Sequence, residues 1–350
     1  MDWRKARAVL KAHGADLYRS GQLARAVFRQ AVGSYAEVSV LPAELRQALE
    51  REAPLLSLSL AAESRSQDGT VKALLGLARG GQVETVLMRP TPRRWTACIS
   101  TQTGCPIGCA FCATAKAGPG RSLSAEEITD QALYWRQFLR REASAERLRN
   151  VVYMGMGEPF LNYENFQQSL RALLDQKLFG IGARHVSVST AGLAPQMERF
   201  AKDFPQVNLA VSLHAANDAL RDRLVPINKT YPLAVLARTL KSVFVENNRK
   251  VFLEYVILKG ENDSPGDAED LAAFIRSVDS KLLHVNLLLY NPADDGAIRG
   301  GMIPTEADAR RFQGYLRDEG LICTVRQSFG RDIAAACGQL AAREKIRRAP

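Results

Sequence analysis

Cys105, Cys109 and Cys112 lie within eight consecutive positions, in the segment Thr103-Gly104-Cys105-Pro106-Ile107-Gly108-Cys109-Ala110-Phe111-Cys112. The spacing is CxxxCxxC, and it directly follows an apolar run that reads as a strand. Thiolates are soft ligands suited to iron–sulfur clusters, and a loop containing Gly104 and Gly108 can wrap one closely. An electron-carrying cluster normally takes four protein ligands, so three leave one iron open to a substrate. Structural zinc would use paired CxxC or Cys/His sets with four ligands, and no local fourth Cys or His is present. Three further cysteines, Cys98, Cys323 and Cys337, stand apart. Each, read alone, is most simply a packed apolar residue. Cys323, alternating with Leu321 and Val325, is assigned that role.

These thiols need a frame. From about residue 95 onward, apolar strand candidates at 96–100, 151–154, 185–190, 207–213, 251–258, 284–290 and 321–326 alternate with helical patterns. One helix opens with the capping-box sequence Ser124-Ala125-Glu126-Glu127 and places Ile128, Ala132, Trp135 and Leu139 on one face. Repeated strand–helix units imply a parallel sheet covered by helices. Their number suits an α/β fold of the partial (β/α)6 TIM-barrel type, in which chemistry belongs at the carboxyl ends of the strands. Polar residues recur there. Met154-Gly155-Met156-Gly157-Glu158-Pro159, Ser187-Val188-Ser189-Thr190, Ser212-Leu213-His214 and Tyr290-Asn291-Pro292 each end an apolar strand. Glycines at 155 and 157 permit close backbone approach, and Glu158 is suited to accept from an ammonium or a ribose. A lone His214 is more often structural, but four polar strand ends in one array favour a coherent pocket.

Upstream, residues 1–52 read as a helical accessory domain, with amphipathic stretches at 3–12 and 22–30 and a proline-initiated turn at 41–45. Residues 53–94 form a β-rich extension, with strands at 55–60, 71–77 and 83–88 broken by Asp68-Gly69 and Gly80-Gly81. The barrel and a C-terminal cysteine loop occupy 95–342, and 343–350 form a basic tail. The chain has 350 residues and a net charge of +10. That excess favours a polyanionic partner, nucleic acid ahead of a membrane surface. No apolar run reaches the roughly 18 residues of a membrane span, and the charged N-terminus is not a signal peptide. A cytoplasmic location follows, where cysteines serve as ligands or catalytic thiols rather than as a disulfide framework.

CxxxCxxC with an aromatic before the last cysteine resembles the signature of the radical S-adenosylmethionine superfamily. Beyond it, Val83-Glu84-Thr85, Cys98 through Cys112, Gly155–Pro159, Ser187–Gly192, Ser212-Leu213-His214, Pro226-Ile227-Asn228 and Ala335-Ala336-Cys337-Gly338-Gln339-Leu340 resemble the RlmN/Cfr family of radical RNA adenosine methyltransferases. The resemblance implies a four-iron, four-sulfur (4Fe-4S) cluster on Cys105, Cys109 and Cys112, with two S-adenosylmethionine molecules consumed per turnover. Gly157, Glu158, Ser189, Ser212, Leu213, His214 and Asn291 match the family's cofactor contacts. Cys337 would take a methyl group from the first molecule. A 5′-deoxyadenosyl radical from the second would remove hydrogen from that S-methyl group, and the methylene radical would add to an adenine carbon. Glu84 matches the proton acceptor. Cys98 matches the thiol that resolves the protein–RNA adduct through a transient disulfide with Cys337, a step of ordinary thiol exchange.

The implied substrate is 23S rRNA, with tRNA as a further candidate, and residues 1–52 resemble the family's accessory domain, whose expected task is gripping RNA. The implied partner is a low-potential electron donor such as flavodoxin or ferredoxin, and the expected state is a monomer. Gly157-Glu158-Pro159-Phe160-Leu161-Asn162 looks RlmN-like and favours carbon 2 of adenosine. Ser328-Phe329-Gly330 looks closer to Cfr, whose target is carbon 8. Where the family usually reads Asp-Ile-Asp-Ala-Ala-Cys, the second acid is Ala334. Two other classes compete: a non-catalytic RNA-binding protein with a structural metal, and a radical enzyme with another substrate.

Overall fold

A computed structural model describes residues 1–342 apart from 93, 143–145, 246–247 and 293–302. The basic tail at 343–350 lies outside the described residues. Ten strands form one sheet in strict sequence order: β1 Leu58–Arg65, β2 Val71–Leu77, β3 Gln82–Thr91, β4 Arg94–Cys98, β5 Leu148–Tyr153, β6 Val186–Thr190, β7 Asn208–Ser212, β8 Val251–Ile257, β9 Leu283–Leu289 and β10 Cys323–Val325. Strands β1 to β4 pair antiparallel, and every pairing from β4 to β10 is parallel. The β-rich extension is therefore continuous with the barrel sheet. A parallel pair needs a crossover, and the helices supply it. They are α5 Ala125–Glu142, α6 Tyr163–Leu174, α7 Ala194–Asp203, α8 Asp218–Leu224, α9 Leu233–Leu240, α10 Pro265–Val278 and α11 Glu306–Asp318, with the short α4 Ala113–Lys116 after the cysteines. The result is a partial barrel of the TIM type.

Helix α5 shows why the frame forms. The Ser124 hydroxyl accepts from the Glu127 N–H while the Glu127 carboxylate accepts from the Ser124 N–H, closing the capping box. Ile128, Ala132, Trp135 and Leu139 are buried on the side facing the sheet. Trp135 Nε1 donates to Thr85 Oγ1 at 2.9 Å, so Thr85 points toward the helical layer. Strand alternation then sends Glu84 to the inner face. The register Val86↔Cys98 and Lys72↔Val86 puts Lys72, Glu84 and Cys98 on that same face.

The N-terminal residues fold as α1 Trp3–Ala12, α2 Leu17–Ala24 and α3 Ala43–Glu52. The second begins five residues before the expected 22–30 segment and runs on as a π-helical turn over Arg25–Arg29. Leu17 and Tyr18 at its start are exposed, so no amphipathic stripe announces them. The first strand also differs, starting at Leu58 rather than 55. Leu55 is buried as loop. The strand continues through exposed residues of a sheet edge, where apolar patterning is lost.

Candidate active site

The cysteine loop is built on the carboxyl end of β4. Backbone bonds fix it: Thr101 and Gln102 donate to Met156 O, Cys105 N–H to Gly118 O, and Ala110 N–H to Leu224 O. Gly157, with φ +92°, allows the approach, since a Cβ there would lie 2.5 Å from Gln102 Cβ. Its lost side chain thus makes room for the cluster loop itself. Burial pushes the Cys105 thiol up to about 12, with Glu158 and Cys112 adding to the rise. Cys109 is raised by burial, then by Cys112 and Cys105, against the pull of Arg221. The desolvated sulfurs of Cys105 and Cys109 are poor free thiolates, and a cationic cluster core fits a loop of this composition chemically. Among the described residues no three His, Cys, Asp or Glu side chains converge on a single metal ion.

The other polar strand ends gather at this same end of the sheet. Glu158, after β5, is buried and accepts from Phe160 N–H at 3.0 Å and Ala191 N–H at 2.8 Å. Burial lifts its carboxyl to about 7 despite these bonds. Ser189 on β6 and Ser212 on β7 have hydroxyls 3.3 Å apart. Leu213 is fully buried. His214 has a left-handed backbone with φ +60°. Its Nδ1 accepts from Val256 N–H at 3.0 Å and its ring meets Phe111 edge-on. Burial, then Arg221, depresses its pKa to about 3, so the imidazole is neutral. Asn291 follows β9. Its Nδ2 donates to Leu289 O, but its buried Oδ1 has no partner among the described residues. An orphaned acceptor of this kind costs free energy until a donor arrives. A polar ligand seated here would supply one, and S-adenosylmethionine fits.

Sequence reasoning did not single out Arg221. Its guanidinium is fully buried and donates to Leu213 O, Ala191 O, Ser212 O and Asn228 Oδ1. It thereby ties the ends of β6 and β7 together. Burial lowers its pKa to about 10, while Cys109, Asp218 and Asp222 support the charge. Pro226-Ile227-Asn228 was the only nearby signal. Glu254 on β8 was also missed; it is buried, accepts from Asn286 Nδ2 and faces Cys337 electrostatically.

Cys337 sits on the C-terminal loop with its side chain exposed. Protein nevertheless crowds it, and desolvation is the main cause of its raised thiol pKa, followed by Glu254. Cys98 is buried on β4, and its thiol is raised by burial and then by Cys337. Cys337 also feels Cys112. All six cysteines are free, so no disulfide joins Cys98 to Cys337. Cys323 is only half-buried, not packed away as expected, with its sulfur 3.8 Å from Gln313 O.

The loop bearing Cys337 is gripped by the antiparallel strands. Lys72 Nζ pairs with Glu84 at 2.9 Å and donates to Ala334 O at 3.1 Å. Glu84 Oε2 accepts from Ala341 N–H at 2.8 Å and Ala342 N–H at 3.3 Å. At the β1–β2 turn, Asp332 accepts from Ser66 Oγ and Gln67 N–H, and Asp68 accepts from Gly330 N–H.

A three-cysteine loop at the carboxyl mouth of a partial barrel, ringed by polar strand ends, defines a radical S-adenosylmethionine enzyme. Comparison with known proteins agrees. Residues 99–275 match the Radical SAM superfamily model. The chain is 38% identical over 344 residues to a probable dual-specificity RNA methyltransferase RlmN of Listeria welshimeri, covering 98% of this chain and 93% of that protein. It is 41% identical to the protein of that name from Chloroflexus aurantiacus, covering 97% and 90%. A crystal structure of a radical SAM methyltransferase from Sphaerobacter thermophilus superposes with a TM-score of 0.91 at 41% identity, covering 98% of each chain. The chain belongs to the RlmN family of radical S-adenosylmethionine RNA methyltransferases. Membership carries a 4Fe-4S cluster and S-adenosylmethionine. Among the described residues no helix is long and apolar enough to cross a membrane.

Proposed function

We propose that this chain methylates carbon 2 of an adenosine in 23S rRNA, and of an adenosine in tRNA, through an S-methyl group carried on Cys337. Supporting the two RNA classes is the dual-specificity name of its relatives. The observation that carries the reading is the backbone bond from Ala113 N–H to Gly338 O at 2.8 Å, which brings the residues next to Cys112 and Cys337 together, with Cys337 also acting electrostatically on the Cys98 thiol. A carrier thiol must reach both the radical source and the thiol that later releases it.

Cys105, Cys109 and Cys112 would hold a 4Fe-4S cluster, which together with bound S-adenosylmethionine would supply the electron and the 5′-deoxyadenosyl radical. Gly157, Glu158, Ser189, Ser212, Leu213, His214 and Asn291 form the wall that binds this cofactor. Two molecules would be consumed per turnover, and Cys337 would carry first the methyl group and then the methylene left once a hydrogen is removed from it. The methylene then bonds to the ring. Release needs a sulfur acceptor. Cys98 thiolate forms the S–S bond as the Cys337 sulfur–carbon bond breaks, and the methylene keeps the bonding pair and takes up a proton. Glu84 accepts the proton leaving the ring carbon, and the adduct passes its unpaired electron back to the electron-transfer partner. Two electrons from a low-potential donor such as flavodoxin or ferredoxin restore both thiols. The enzyme works as a monomer in the cytoplasm.

The test is Cys98→Ala, reconstituted anaerobically and given rRNA transcript. A covalent protein–RNA adduct should accumulate while methylated RNA falls by at least ~10²-fold, and Cys337→Ala should give neither. Catalytic methylation by Cys337→Ala would overturn the scheme. Mass spectrometry of the methyladenosine isomer decides carbon 2 against carbon 8.

A further inference from the structure

A second, unassigned site lies at the opposite end of the barrel. A cavity of about 890 Å3 opens beside the first residues of β5 and β6, lined by Arg29, Arg136, Arg147, Arg149, His185 and Glu146 among others. The six-residue β5 separates it from the cysteine loop by about 20 Å, at roughly 3.3 Å per residue. Its charge is held in an unusual way. Arg136 donates to Phe28 O and Phe179 O, and Arg29 Nη2 to Gln176 O. Both guanidinium groups are thus fixed by neutral carbonyls, which orient the charge without cancelling it. Gly180, at φ +59°, makes this possible: a Cβ there would stand 2.3 Å from the Arg29 guanidinium. Glu146, the one carboxylate in the lining, is already occupied by Arg89 at 3.1 Å and by Trp95 Nε1.

Arg147 and Arg149 are exposed at the rim and have no acidic partner among the described residues. Burial, then Arg29 and Arg147, lower the Arg136 pKa to about 10, as expected for like charges forced together. Such a cluster is relieved by an anion. Four arginines lining one cavity, two of them at its exposed rim, suit several phosphates of a chain better than one small ion.

We propose that this cavity grips the phosphate backbone of the substrate RNA at a point remote from the adenosine being methylated. The proposal rests on the RNA reading given above, and it gives the seam between the N-terminal helices and the barrel a binding role. A long structured RNA would reach both ends of the barrel, and a short hairpin would reach only the catalytic mouth.

The experiment compares the holoenzyme with its Arg147→Ser/Arg149→Ser variant on two probes, a protein-free 23S rRNA transcript and a short hairpin carrying the target adenosine. Dissociation constants are measured over a series of KCl concentrations. For the transcript, the variant should bind about 10-fold more weakly, and the slope of log K against log salt should fall by about two, one per lost phosphate contact. Hairpin binding and 5′-deoxyadenosine release on the hairpin should be unchanged, which also shows that the variant is folded. Unaltered transcript affinity and slope would overturn the proposal, as would equal weakening on both probes. Failure of the wild-type enzyme to methylate either RNA would instead overturn the functional reading beneath it.

Discussion

The two cysteine-bearing loops are held in opposite ways. The loop of Cys105, Cys109 and Cys112 is tied by main chain to main chain, at Thr101, Gln102, Cys105 and Ala110, and a glycine at 157 lets the backbones close. The loop of Cys337 has one main-chain bond to the barrel among the described residues, Ala113 N–H to Gly338 O. Its other ties run through side chains: Asp68, Lys72, Glu84, Thr114, Asp332 and Gln339. Main-chain bonds are set by the fold, whereas side chains can swing away without unfolding a strand. A cluster must stay put through every turnover. In the scheme proposed above, Cys337 as a carrier thiol would have to meet a methyl donor, a base in RNA and a resolving thiol in turn. The difference in anchoring matches the difference in task.

Removing one cluster thiol should separate the two regions most sharply. Cys105→Ala is expected to lose the cluster chromophore, most of its iron and sulfide, and all 5′-deoxyadenosine formation. Amide exchange across the Cys337 loop should stay at the wild-type rate, because none of its anchors passes through Cys105. An exchange rate that rose together with cluster loss would show the two loops to be one unit.

Arg221 sharpens the fixed side of the comparison. Arg221→Gln would leave several of the Leu213, Ala191 and Ser212 carbonyls without a donor in a buried site. At ~1–3 kcal/mol for each unsatisfied group, a loss of about 3 kcal/mol is expected in urea unfolding of the apoprotein. S-adenosylmethionine affinity of the holoprotein should fall with it, since Ser212 and Leu213 lose their common tether. Arg221→Lys keeps the charge but not the fork, and should recover less than half of the loss.

How far each region could be read from sequence follows the same division. Spacing within eight residues singled out the three-cysteine loop, and periodicity exposed the strands, with β2 expected at 71–77 and found as Val71–Leu77. Polar residues ending β5, β6, β7 and β9 were legible as a group because barrels place their chemistry at strand ends. Arg221 escaped notice because arginine in an ordinary helical pattern looks solvent-facing, and only the tertiary fold buries it. The grip of Asp68 and Asp332 on the Cys337 loop joins residues more than 260 positions apart. No local pattern encodes that. The edge strand β1 was misplaced for a related reason: its outer residues are exposed, so burial left no signature.

The finest test concerns Ala334, where the family usually carries an acid. Its backbone is left-handed, with φ +51°, and Lys72 donates to its carbonyl. An L-residue with a Cβ pays ~1–2 kcal/mol for that conformation, and Asn tolerates it better than Ala does. The strain is borne by the movable loop and not by the barrel. Ala334→Asn should therefore leave the global unfolding midpoint nearly unchanged while lowering the free energy of the closed loop by ~1 kcal/mol. Hydrogen exchange at residues 335–341 should slow by about 5-fold, the factor that this free energy implies. Asp332→Ala, which removes the bonds to Ser66 and Gln67, should move the same amides in the opposite direction. If both variants shifted the global midpoint instead, the loop would be as firmly built in as the cluster, and the contrast between the two anchorings would fail.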